Sequence, residues 1–84
     1  MVEISELEHN INLVNNYQKT ALHVTAYAGD VDFTRLLVEN GADVSKADDQ
    51  GRTPLFHAVV RGHYDLVVYL SDFLTVFPVK FNIL

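Results

Sequence analysis

Thr20-Ala21-Leu22-His23-Val24-Thr25-Ala26-Tyr27-Ala28-Gly29 returns one period later as Thr53-Pro54-Leu55-Phe56-His57-Ala58-Val59-Val60-Arg61-Gly62. Thr20 and Thr53, Leu22 and Leu55, Gly29 and Gly62, Asp32 and Asp65, and Leu37 and Leu70 each lie 33 residues apart. A fixed period of this size marks a stacked repeat. Threonine before an apolar run suits a helix N-cap, and proline after it suits the first helical position. Short helices are therefore expected over Ala21–Ala28 and Pro54–Arg61. Leu22 with Ala26, and Leu55 with Val59, sit four apart on one face. Ala21, Ala26, Ala28 and Ala58 are small enough to let neighbouring helices approach.

Outward from these segments, Gly29 and Gly62 break the helices and Asp30 is placed to cap the next one. A second helix is expected over about Val31–Asn40, with Phe33, Leu36, Leu37 and Asn40 on one stripe, closed by Gly41 in the left-handed conformation. Asp48-Asp49-Gln50-Gly51 is a tight-turn signal. Each unit then reads helix, glycine turn, helix, loop and turn. Such a unit cannot cover its own apolar faces and must lie against a neighbour.

The segments Lys19–Val44 and Gly51–Leu70 resemble ankyrin repeats, carried by the T-P-L-H-x-A pattern, the interhelical glycine and the Gly41-Ala42-Asp43-Val44 exit. The resemblance implies an all-α ankyrin-repeat solenoid of stacked helix-turn-helix units with β-turn or hairpin-like connecting loops. It divides one domain, 1–84, into a partial unit (1–14), a full unit (15–47), an incomplete one (48–75) and an apolar non-repeat tail (76–84). It also implies that His23 hydrogen-bonds the adjoining turn. Three departures stand out. Gln18 replaces the glycine found at Gly51, so the first turn is expected to be less tight. Phe56-His57 reverses the order kept by His23-Val24. Phe73-Leu74-Thr75-Val76-Phe77 replaces the glycine exit, so the last helix is expected to overrun to about Val76. The lost exit and apolar tail read as a truncated or alternative product of a longer ankyrin protein, marginally stable alone.

The 84 residues carry a net charge of −5 and are 49% hydrophobic, enough for one small folded domain. Residues 1–50 hold nine acids and three bases, residues 51–84 two acids and three bases. Without a Lys/Arg cluster, nucleic acid is not an expected partner. No cysteine is present, so disulfides and thiolate metal sites are excluded. Met1–Glu6 does not read as a secretory leader, and Leu66–Leu84 is broken by Asp72, Pro78 and Lys80, so neither secretion nor membrane insertion is expected. The expected location is the cytoplasm, with the nucleus as the alternative.

His9, His23, His57 and His63 lack metal-ligand spacing. Asp48-Asp49 reads as a turn pair facing solvent, and no nucleophile, phosphate-loop or dinucleotide motif occurs. No catalysis, cofactor or metal is expected. The resemblance implies protein binding by a rigid concave surface. Carried over by position, its contact residues are Asn16, Tyr17, Lys19, Tyr27 and Ala28 in the first unit, and Asp49, Gln50, Arg52, Val60 and Arg61 in the second. Tyr17, Tyr27, Arg52 and Arg61 are expected to carry most of the energy. The alternative is an assembly or dominant-negative element that self-associates, or joins a larger ankyrin array, through its uncapped ends, with self-association through the apolar C-terminal end.

Overall fold

The computed structural model describes residues 10–74. Among the described residues four helices have defined bounds, in order α1 (Ala21–Ala28), α2 (Val31–Glu39), α3 (Pro54–Arg61) and α4 (Tyr64–Leu74). The described residues contain no strand. α1 packs on α3, while α2 lies against α1 and α4 against α3. The result is a first row (α1, α3) backed by a second (α2, α4). The expected all-α stack is what forms. The expected tail at 76–84, the end of the overrunning helix beyond Leu74, and most of the partial unit at 1–14 lie outside the described residues.

The helix starts follow from their caps. Thr20 accepts the amide of His23, Thr53 that of Phe56, and Asp30 that of Phe33. These bonds satisfy donors that lack intrahelical partners. At the other ends Gly29 and Gly62 take φ of 80° and 74°. Asn40 closes α2, and Gly41 after it is also left-handed.

Two linked apolar clusters hold the rows together. Leu22 and Leu37 of the first helix pair form one with Ile11 from the segment before it and Ala42 from the loop after it. Ala26, Ala58, Leu66 and Leu70 form the other, which belongs to both pairs at once. Val38 and Val44 pack against both. Ala26 and Ala58 have no exposed surface, as helices in close approach require. Ala21 and Ala28, by contrast, are exposed and do not serve that approach.

The expected α2 stripe is rotated. Phe33 and Leu36 are about half exposed, while Thr34 and Leu37 are buried and Val31 and Val38 partly so. The cause is a polar clasp: the Thr34 hydroxyl donates to Thr25 Oγ1 at 2.9 Å, and Thr25 donates to the Leu22 carbonyl at 3.3 Å. Apolar periodicity ignores threonine and so missed this face. In α3, Leu55 is half-buried, but Val59 is 53% exposed although its equivalent Ala26 is fully buried. α3 and α4 cover Ala26, and among the described residues no further helix pair covers Val59.

The turn at Gln18 is as tight as its glycine counterpart, contrary to expectation. Gln18 N–H donates to the Asn15 carbonyl at 2.9 Å, as Gly51 N–H does to Asp48. Gln18 holds φ at 62° to achieve this. Left-handed backbone costs a residue with a Cβ about 1–2 kcal/mol.

Candidate functional site

Two turns and two helices build one surface. In the first turn Asn15 Oδ1 accepts the amides of Tyr17 and Lys19 at 2.9 and 3.0 Å. In the second, Asp48 Oδ1 accepts those of Gln50 and Arg52 at 3.0 and 2.9 Å. The same side-chain device therefore folds both turns. The Asp49 amide donates to the Tyr17 carbonyl at 2.9 Å and joins the two turns edge to edge.

Asp48 does more than shape its turn. Its Oδ2 accepts from Lys19 Nζ at 2.7 Å and from His57 Nε2 at 3.2 Å, and its side chain has no solvent exposure. The expectation that Asp48 faces solvent is therefore corrected: four donors enclose its carboxylate. Burial opposes ionisation, but Lys19, the Arg52 and Gln50 amides and His57 together hold the carboxyl well below the usual range. Lys19 is consequently committed to Asp48.

His23 is the second cross-unit tie, in the role expected for it. Its Nε2 bonds to the Arg52 carbonyl at 3.0 Å, and the Thr20 amide donates to its Nδ1 at 3.0 Å. A carbonyl only accepts and an amide only donates, so the proton resides on Nε2. Burial pushes the pKa of His23 below its ordinary value, outweighing the Arg52 carbonyl, which favours the charged form. His63 is the third tie, its Nε2 donating to the Tyr27 carbonyl at 2.8 Å. Its ring occupies the space where a Cβ on Gly29 would fall, 2.7 Å from the nearest ring atoms.

Between α1 and α3 these ties leave a cleft of about 310 Å³. Lys19, Tyr27, Arg52 and Val60, all singled out by position, line it. Val24 and Phe56 line it too and are exposed. Sequence reasoning missed both. The signal was available, because Val24 precedes Tyr27 by three residues and Phe56 precedes Val60 by four, which shares a helix face. Asn16, Tyr17, Asp49 and Gln50 are exposed on the turns but do not line the cleft, nor do Ala28 and Arg61. Arg61 places its guanidinium 4.6 Å from the Tyr27 ring centre, and Arg52 lies 5.4 Å from that of Phe56. His57 sits buried at the cleft and meets Tyr27 and Phe56 edge-on. Among the described residues no group of three or more His, Cys, Asp or Glu is placed to hold a metal ion, and no helix is long and apolar enough to cross a membrane.

Helix pairs stacked at a 33-residue period, tied by T-x-L-H histidine and turn contacts, define a class of repeat protein. The family model described as ankyrin repeats (3 copies) matches residues 2–76. The chain belongs to the ankyrin repeat family. It is 36% identical over 67 residues to the Notch-regulated ankyrin repeat-containing protein A of Danio rerio, a match covering 80% of this chain and 60% of that one. The Homo sapiens Notch-regulated ankyrin repeat-containing protein matches at 36% over 67 residues, with 80% and 59% covered. The NF-kappa-B inhibitor cactus of Drosophila yakuba matches at 38% over 61 residues, 70% of this chain but 12% of that protein. The chain thus matches about 60% of the length of the Notch-regulated relatives.

Proposed function

We propose that the chain is a protein-interaction module that presents the turns and first-row helices to a partner protein. The observation that carries this reading is the cleft between α1 and α3, where Val24, Tyr27, Phe56 and Val60 remain exposed while the helices bearing them are tied by Asp48, His23 and His63. Exposed aromatic and apolar groups on a preorganised support suit docking, because little ordering entropy is lost. The reading treats residues 15–47 and 48–75 as two stacked units preceded by part of another, places the chain in the cytoplasm or nucleus, and includes no catalytic step. Asn16, Tyr17, Asp49 and Gln50 would contact the partner at the turns, with Ala28 beside the cleft.

The test is affinity capture from a native extract with the parent chain and with Tyr27→Ala/Arg61→Ala, both checked by far-ultraviolet circular dichroism. Loss of a specific partner with helicity intact supports the module. Equal capture by both proteins ends it.

A second reading is favoured by Val59, whose exposure contrasts with the burial of its equivalent Ala26. In this reading the face that carries Val59 receives another helix pair, from a second copy or from a longer ankyrin array. Concentration-dependent oligomers in size-exclusion chromatography, abolished by Val59→Glu, support it. A monomer at all concentrations argues against self-association.

A further inference from the structure

The charges of the described residues are segregated by row. The turns and first helices (15–28 and 48–61) carry Lys19, Arg52 and Arg61 against Asp48 and Asp49. Neither α1 nor α3 contains an acid. Asp48 is buried and neutralised where it sits, which leaves Asp49 as the exposed acid of this surface. The second helices and exit loops (29–47 and 62–74) carry six acids (Asp30, Asp32, Glu39, Asp43, Asp65 and Asp72) against Arg35 and Lys46. A chain of net charge −5 therefore carries, over its turns and first helices, three bases against two acids.

The two arginines are held ready. Arg52 and Arg61 rest over the rings of Phe56 and Tyr27, and among the described residues neither meets a carboxylate within ion-pair distance. Stacking uses the face of a guanidinium and leaves its in-plane N–H groups, the ones that grip carboxylates in pairs. Arg52 lines the cleft, Arg61 rests on its Tyr27, and the apolar side chains Val24, Tyr27, Phe56 and Val60 share the lining with Lys19, His23 and His57.

We propose that this cleft receives an acidic peptide segment of a partner protein, with one apolar side chain entering between Val24, Tyr27, Phe56 and Val60 and flanking carboxylates paired to Arg52 and Arg61. The inference rests on the protein-binding reading and adds the partner's chemistry. A basic segment is drawn to the acidic second row instead. A nucleic acid gains little here, since two arginines in an acidic chain release few counterions. The carboxylates supply orientation and encounter rate, and the apolar anchor supplies the buried area.

Fluorescence anisotropy with the full chain tests it, using three short labelled peptides. The first has Leu-Phe at its centre and Glu on both sides, the second replaces Glu with Lys, and the third replaces Leu-Phe with Ser. The first is expected to bind at least about tenfold more tightly than either control and to weaken with added salt. Arg52→Gln and Arg61→Gln, each checked for helicity, should lower its affinity about fivefold. Equal binding of the lysine peptide overturns the charge assignment. Equal binding of the serine peptide makes the cleft a general polyanion site and overturns the apolar anchor. Either result leaves partner capture by the parent, and its loss in Tyr27→Ala/Arg61→Ala, to stand or fall separately.

Discussion

The Lys19 ammonium reaches the Asp48 carboxylate at 2.7 Å across 29 residues of sequence, joining the turn of one helix pair to that of the next. Because Asp48 Oδ1 also holds the amides of its own turn, one side chain shapes a loop and locks the stack. Asn15 fills the equivalent place with only the loop-shaping half of that role. Asp48→Asn should therefore keep the turn and lose the lock, whereas Asp48→Ala should lose both. The expected order of thermal midpoints is parent, then Asp48→Asn, then Asp48→Ala. Equal midpoints for the two variants would remove the turn-shaping role.

Acid should loosen the same junction in two stages. His23 has a pKa below its ordinary 6.5, so the unfolded chain takes up the proton first. Stability is then complete above pH 6.5 and declines as pH falls below it. Asp48 is likewise depressed below its ordinary 3.8, so its contribution is present above that pH and is lost as pH falls further. Urea midpoints measured from pH 8 to pH 3 should fall through both windows. His23→Asn should flatten the upper one and Asp48→Asn the lower.

Gln18 and Gly51 hold the same left-handed turn position, at φ of 62° and 78°. Replacing Gln18 by Gly relieves about 1–2 kcal/mol of strain, offset by about 0.5–1 kcal/mol of added chain entropy in the unfolded state. The net gain expected is about 0.5 kcal/mol, roughly 2–4 °C in melting temperature. Nothing lies near a Cβ built on Gly51, so Gly51→Gln should lose a similar amount through backbone strain alone.

Gly29 and Gly41 are both left-handed, but only at Gly29 would a Cβ collide, with the ring of His63. Gly41→Ala should cost about 1–2 kcal/mol of strain. Gly29→Ala should cost about 1 kcal/mol more through the displaced His63–Tyr27 hydrogen bond. Adding His63→Ala to Gly29→Ala should cost less than it does in the parent. Strict additivity would mean that the two sites do not touch.

The buried pair Thr25–Thr34 makes a double-mutant cycle informative. The second helix pair has Ala58 and Val67 at these places. Thr25→Ala alone strands the Thr34 hydroxyl and should cost about 1–3 kcal/mol, while Thr25→Ala/Thr34→Val should recover most of that loss. Chemical denaturation of the three proteins measures it.

The period and the caps made most of this architecture legible in advance. Thr20, Thr53, Pro54 and the glycines set the bounds of α1 and α3, because capping is local chemistry that a sequence displays directly. What a sequence does not display is which neighbour arrives. Thr34 faces inward because Thr25 waits for it, and Asp48 is buried because Lys19 and His57 converge on it from other segments. Of the cleft lining, Lys19, Tyr27, Arg52 and Val60 are legible by position in the repeat. Val24 and Phe56 are not, because each reads as an ordinary apolar residue until α1 and α3 are set side by side.

The most direct measurement compares partner capture by Val60→Glu and Val68→Glu. Both side chains are largely exposed, Val60 on α3 beside the cleft and Val68 on α4 in the second row. Neither change should alter helicity or melting temperature by much. If the first row is the binding surface, Val60→Glu abolishes capture and Val68→Glu leaves it intact. Capture that survives Val60→Glu, or that is lost with Val68→Glu instead, would contradict it.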